Sequence, residues 1–257
     1  MNNPGQEPSG ALGVHPLHGL PEIREGDDLG TAIAAAATGV SGAPGSSATS
    51  PAGSSLRSGD CVVVTQKIVS KAEGRVVTLD ASDPDMQRRA LIESESARVL
   101  RRRGDLMITE TRHGFVCANA GVDASNVPDG SATLLPLDAD HSAGRIRSAL
   151  SRRLGVDVAV VVSDTFGRPW RQGVCDVAIG VSGLAAIVDL RGSLDGGGRE
   201  LEITEVAIAD EVAAAADLVM GKARRVPVAI VRGLDAAWLR EGSARELVRP
   251  AGEDLFR

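Results

Sequence analysis

Residues 158–162 read Val-Ala-Val-Val-Val, and the next charged position is Asp164, followed at once by Thr165. An unbroken, largely β-branched run of this length does not alternate apolar with polar residues, so it suits a strand covered on both faces. A sheet of that kind needs a helical layer on each side. The chain supplies candidates: "LGTAIAAAA" after the turn residues Gly26 and Asp27, "HSAGRIRSALSRRLG" with Ala143, Ile146, Leu150 and Leu154 on one face and Gly155 as its cap, and "IADEVAAAADLVMGKA" with Ile208, Val212, Ala215 and Val219 aligned and Gly221 ending it.

Other segments fill in the element order. "GDCVVVTQKIVSKAEGRVV" predicts a strand, a polar corner at Gln66 and Lys67, and a second extended run. Met86, Ala90, Ala97 and Leu100 predict a helix over residues 85–103, with "RRR" placed to complement its dipole. "DLMITET", "GFVCANAG" and "PVAIVRGL" read as further strands. Strands and helices mix without strict alternation, which predicts an α+β (mixed α/β) fold. Residues 1–13 are expected to be disordered, and the Ser/Gly/Ala/Pro/Thr segment 41–55 a flexible loop, because neither can bury enough apolar surface to offset its ordering entropy.

Totals exclude several functions. The net charge is −6 and basic residues are interleaved with acids, against a nucleic-acid footprint. With two Trp, three Phe and no Tyr, base-stacking platforms are also disfavoured. No stretch approaches the roughly 18 apolar residues of a membrane span. Cys61, Cys117 and Cys175 are odd in number and far apart, so a disulfide framework is not indicated and a cytoplasmic location is expected.

A carboxylate at the end of a buried strand costs several kcal/mol unless it is paired or binds a cation. Asp164 with the Thr165 hydroxyl offers hard oxygens to Mg²⁺ or Mn²⁺, although the same residues can simply order a turn. "CANAGVDASNV" delivers Asp123 and Asn126 among small neighbours, again as a ligand site or as an ordinary Asx turn. "GRELEITE" adds Glu200, Glu202 and Glu205, the first two on one face if extended. Lys67, Lys71, Arg168 and Arg171 can neutralise phosphate or remain solvated. The chain has no P-loop, no Gly-x-Gly-x-x-Gly after a strand, no Gly-x-Ser-x-Gly, and its four His lack metal spacing, so P-loop and Rossmann folds are excluded.

In order, "GLPEIREGDDL", "GDCVVVTQKIVSKAEGR", "AGVDASNV", "VVVSDTFGRPWRQG", "LEITEVAIADEVAAAADLVMGKA" and "RELVRPAGEDLF" resemble the GTP-dependent coenzyme F420:L-glutamate ligases, which add γ-linked glutamate to a deazaflavin cofactor. The resemblance covers nearly everything after residue 14 and is nearest to the ligase domain of the actinobacterial bifunctional form. It implies two intertwined subdomains within residues 14–257, a homodimer, and the small-molecule substrates coenzyme F420-0, L-glutamate and GTP. It implies nucleotide contacts at Leu20, Pro21, Glu22, Ile23, Gln66, Lys71 and Asn126 and along Glu200, Leu201, Glu202, Ile203, Thr204 and Glu205. The divalent ions, one or two of Mg²⁺ or Mn²⁺ with K⁺ as a further cation, would sit on Asp123, Asp164, Thr165 and Glu202. Asp164, Lys71, Arg168 and Arg171 are the expected catalytic set. Two departures stand out: the 41–55 loop is long, and "LRGSLDGGGREL" lacks the aromatic-Gly step expected before the glutamates. The competing reading is a nucleotide- and metal-binding regulatory module without catalysis.

Overall fold

The computed structural model describes residues 11–39, 55–80, 82–125 and 130–256. Of the segment 1–13 expected to be disordered, residues 1–10 lie outside these, as do nearly all of the 41–55 loop and Asn126; its last residue, Gly13, instead opens a strand that pairs with Arg232.

Strand β1 (Gly13–Pro16) leads into α1 (Leu29–Thr38), whose first turn is held by Asp28 accepting from the Thr31 amide and whose end is a left-handed Gly39. β2 (Cys61–Thr65) runs directly into α2 (Gln66–Ala72). After β3 (Val76–Thr78) come α3 (Pro84–Glu95), β4 (Ser96–Arg103), β5 (Leu106–Thr111), β6 (Val116–Ala118) and β7 (Ser131–Thr133). α4 (Ala139–Leu154) is capped by Asp138 and by left-handed Gly155. β8 (Ala159–Gly167) and β9 (Val174–Ser182) form a long hairpin; β10 (Val188–Asp189), β11 (Glu205–Val206), α5 (Ile208–Met220) and β12 (Val228–Arg232) complete the series.

The central sheet has the order β1-β12-β2-β8-β9. Every neighbouring pair is antiparallel except β2 and β8, which run parallel with Val62 opposite Val160 and Thr65 opposite Ser163. The two most apolar strands are therefore central and point the same way. One face of the sheet (Val62, Val64, Val160, Val162, Ile179) packs with Ile33 of α1 and Ala143, Ile146 and Leu150 of α4. The other (Cys61, Val63, Ala159, Val161, Ala178) packs with Ala209, Val212, Ala213, Ala216 and Met220 of α5. This is the two-sided burial that the Val158–Val162 run predicts, within a mixed α+β fold. A smaller sheet, β4-β5-β6, closes a third cluster around Ile92 and Met107.

Three readings need correction. The helix expected over 85–103 stops at Glu95, and Ala97 to Leu100 belong to β4, where Ser96 pairs with Thr111. Its predicted stripe was false: Met86 is exposed and Ile92 is the buried residue of α3. The extended run expected after Gln66 is α2, because β2 ends at Thr65 and the polar corner starts a helix. On α5 the predicted stripe holds at Ile208 and Val212, both buried, but in the second half it shifts by one position, to Ala216 and Met220, with Ala215 and Val219 at its edge.

Candidate active site

Parallel strands β2 and β8 end at the same edge of the sheet, the place where α/β folds gather ligand groups. Asp164 and Thr165 lie beyond a bulge between Val162 and Ser163. In the new register Asp164 is opposite Val177, which packs with Phe166 against the α1/α4 cluster; Thr165 is opposite Asp176, two residues from Ala178 in the α5 cluster. Side chains alternate along a strand, so Asp164 and Thr165 serve opposite faces.

On the Asp164 face, the first turn of α2 carries Lys67 to Asp123. The Lys67 Nζ donates to Asp123 Oδ2 at 2.8 Å and to Ser125 Oγ at 2.7 Å, and the Ser125 amide donates to Asp123 Oδ1 at 2.7 Å. Burial acts to raise the Asp123 pKa, but Lys67 and Ser125 prevail and hold it below the ordinary carboxylate range. Asp164 goes the other way. Burial, against the Thr165 amide that donates to it, and with Asp176 and Asp123 adding their negative charge, pushes its pKa up to about 7. Asp123 and Asp164, distant in sequence, thus feel each other's charge. Cys117 of β6 is buried beside Asp164, and its thiol is pushed up by burial and then by that carboxylate.

On the other face, buried Asp176 accepts from Thr165 Oγ1 at 2.5 Å and from Ser163 Oγ at 2.9 Å. Asp217 on α5 is raised by burial and by Asp176, with Lys222 opposing, and Lys222 also acts on Asp164. The charges of Asp123 and Asp176 thus act on Asp164 from its two sides, and that of Asp176 acts on Asp217, with Lys222 opposing at both Asp164 and Asp217. Sequence reasoning did not select Asp176, Asp217 or Lys222. The available signal was period two: Asp176 interrupts an apolar run on β9 as Asp164 does on β8.

The remaining expected residues are spread around this edge. Lys71, one turn further along α2, donates to exposed Glu22 at 2.6 Å, which ties α2 to the 20–23 segment; Ile23 is buried, Leu20 packs on the α1/α4 cluster and Pro21 is exposed. Gln66 is buried, its amide donating to Ser70 Oγ and to the Leu134 carbonyl, so it braces α2. Arg168 and Arg171 are exposed in the β8–β9 loop, where Arg168 donates to the Gln172 carbonyl. Glu200 to Glu205 lie on one side of a two-stranded arm that begins at the β10–β11 pair: the Leu190 amide bonds Thr204, the Gly192 amide bonds Leu201, and Arg191 meets Glu205 at 3.3 Å. Glu200, Glu202 and Ile203 face solvent. Among the described residues no hydrogen bond or ion pair links this arm to Asp123 or Asp164, and no three His, Cys, Asp or Glu side chains stand ready as a metal cage.

The F420-0:gamma-glutamyl ligase family model matches residues 19–233. The chain is 44% identical to the coenzyme F420:L-glutamate ligase of Methanothermobacter thermautotrophicus over 94% of its own length and 97% of that protein. It belongs to the F420-0:gamma-glutamyl ligase family. The enzymes of the same name from Methanopyrus kandleri (40% identical, covering 96% of this chain and 98% of that one) and Methanocaldococcus jannaschii (41%, 79% and 86%) agree. The family span takes in every element that meets at the strand ends, from the 20–23 segment through Lys67, Asp123, Asp164 and Asp176 to Lys222, as well as the arm.

Proposed function

We propose that this chain is a GTP-dependent ligase that joins L-glutamate through its amine to the free carboxylate of coenzyme F420-0. The observation that carries the reading is Asp123, gripped by Lys67, acting through its charge on the buried Asp164 where β2 and β8 end, in a chain of this family.

The donor set suits a hard divalent cation. Asp123, Asp164 and Thr165 are all-oxygen ligands of the kind Mg²⁺ and Mn²⁺ take, and Asp164, raised first by burial and then by Asp176 and Asp123, holds a charge whose cost a bound cation would relieve. Because Asp164 and Thr165 face opposite sides of the sheet, they suit two contact points better than one. A bound divalent ion would supply charge neutralisation at the nucleotide phosphates. The side chains do the rest. Lys67, once Asp123 turns to a cation, would be free to meet phosphate oxygens; Lys71, beside the 20–23 segment, would serve the same purpose; and Arg168 and Arg171, exposed in the β8–β9 loop, would receive an anionic acceptor. Phosphoryl transfer rests mainly on positioning and charge stabilisation, so the site needs no protein nucleophile.

In the proposed sequence, the acceptor carboxylate takes the γ-phosphoryl group of GTP, GDP leaves, and the glutamate amine attacks the acyl carbon of the acyl phosphate. The C–N bond forms as phosphate departs and the amine loses a proton. Glu202 completes the site in this reading by movement of the arm or from a second copy in an intertwined homodimer, and the setting is cytoplasmic. The test is a mass spectrum of coenzyme F420-0, glutamate, GTP and Mn²⁺ incubated with the protein. A gain of glutamyl units with release of GDP is expected. Binding of GTP with no mass gain would replace the ligase by a non-catalytic module, and phosphate release without glutamate would replace it by a phosphohydrolase.

A further inference from the structure

We propose that Asp176 is a positioning residue that fixes the Thr165 hydroxyl as an oxygen donor to the cation, by taking the hydroxyl protons of Thr165 and Ser163 together. The geometry is specific. Thr165 and Asp176 are direct cross-strand partners on the α5 face, and Ser163 is one step along the same face of β8. Both hydroxyls donate to one buried carboxylate, Thr165 Oγ1 to Oδ1 and Ser163 Oγ to Oδ2.

A hydroxyl has a single proton, and an ionised carboxylate only accepts. With its proton committed to Asp176, the Thr165 oxygen can present only lone pairs elsewhere, and the carboxylate's charge makes that oxygen more basic. Partners of this kind, one bond behind a metal ligand, commonly set metal affinity by about 10- to 100-fold. Asparagine keeps the shape but offers one acceptor oxygen and a donating NH₂. The hydroxyl that meets the NH₂ must then accept instead of donate, and where that is Thr165 its lone pair is taken and its proton freed.

The inference rests on the metal-dependent reading of Thr165, and the experiment separates the two. Mn²⁺ binding is measured by electron paramagnetic resonance in the presence of GTP for the wild type, Asp164→Asn, Asp176→Asn, Thr165→Val, Thr165→Ser and the Asp176→Asn/Thr165→Val pair. Thermal unfolding checks that each variant is folded. The expected result is a loss of about 10-fold or more in Asp176→Asn, a similar loss in Thr165→Val, recovery in Thr165→Ser, and no further loss in the double variant. Losses that multiply in the double variant, or Mn²⁺ affinity unchanged in Asp176→Asn while Asp164→Asn abolishes it, overturn the role of Asp176 and leave the metal reading standing. Failure of the wild type to bind Mn²⁺ overturns both. If Asp176→Asn does not fold, Mn²⁺ affinity unchanged in Thr165→Val overturns the inference by itself.

Discussion

Replacing Asp164 by asparagine should make the metal-free protein more stable while removing its activity. The carboxyl of Asp164 is pushed from an ordinary 3.8 up to about 7, first by burial. The folded state therefore holds a proton that the unfolded chain releases. Stability from this group is fully present below the unfolded pKa and is lost as pH rises through the folded one. A shift of about three units at roughly 1.4 kcal/mol each gives a cost on the order of 4 kcal/mol above pH 7, an upper bound because the residue is only partly buried. Asparagine has nearly the same shape, can still accept from the Thr165 amide and carries no charge, so it escapes the cost. The stability gap between variant and wild type, measured by urea unfolding in EDTA, should grow from under about 1 kcal/mol at pH 4 to a few kcal/mol at pH 8. At roughly 2–4 °C per kcal/mol for a chain near this size, the shift in Tm is also easily read. Ligation by the same variant should fall at least about 100-fold, on the order of 3 kcal/mol of barrier. Parallel pH profiles for the two proteins, or a variant less stable at pH 8, would refute the claim that burial strains the Asp164 charge.

Lys67→Ala should lower ligation by at least about tenfold, near 1.4 kcal/mol of barrier, and raise the Asp123 pKa, since Lys67 is a principal group holding it down; NMR titration of the Asp123 carboxyl checks the second part. Arg232→Ala strands the almost fully buried Asp60, which Arg232 grips at 2.7 Å through both Nε and a terminal nitrogen, and should cost about 3–5 kcal/mol in chemical denaturation. Gly180→Ala would put a methyl 2.3 Å from the Ala139 carbonyl oxygen, so the contact between β9 and α4 must open; a loss of about 1–3 kcal/mol is expected by the same measurement. Glu22→Gln breaks only a pair whose acid is exposed and should change stability by less than about 1 kcal/mol, in contrast to Arg232→Ala.

The core was legible in the sequence because its signal is local. Residues 158–162 announce two-sided burial, and α4 shows its stripe at Ala143, Ile146 and Leu150, all buried. Where the sequence misled, a nonlocal partner decided the outcome. Residues 96–103 have helical spacing, yet they become β4 because β5 offers a pairing edge and because α3 buries little beyond Ile92. Residues 66–72 look β-branched enough to extend, but they follow the carboxyl end of β2, where a helix start satisfies the corner.

The site divided along the same line. Asp123 and Asp164 stand out singly because each is a carboxylate amid small or apolar neighbours. Asp176 does not, since its meaning comes from lying opposite Thr165, and only the β8–β9 register supplies that. The bulge between Val162 and Ser163 is what couples the two. Without it Thr165 would lie opposite Val177 and Asp176 opposite Phe166, on the Asp164 face, and Asp176 would not meet the two hydroxyls. The one residue added in β9, Ile179, thus brings Asp176 onto the face of Ser163 and Thr165, opposite the face of Asp164.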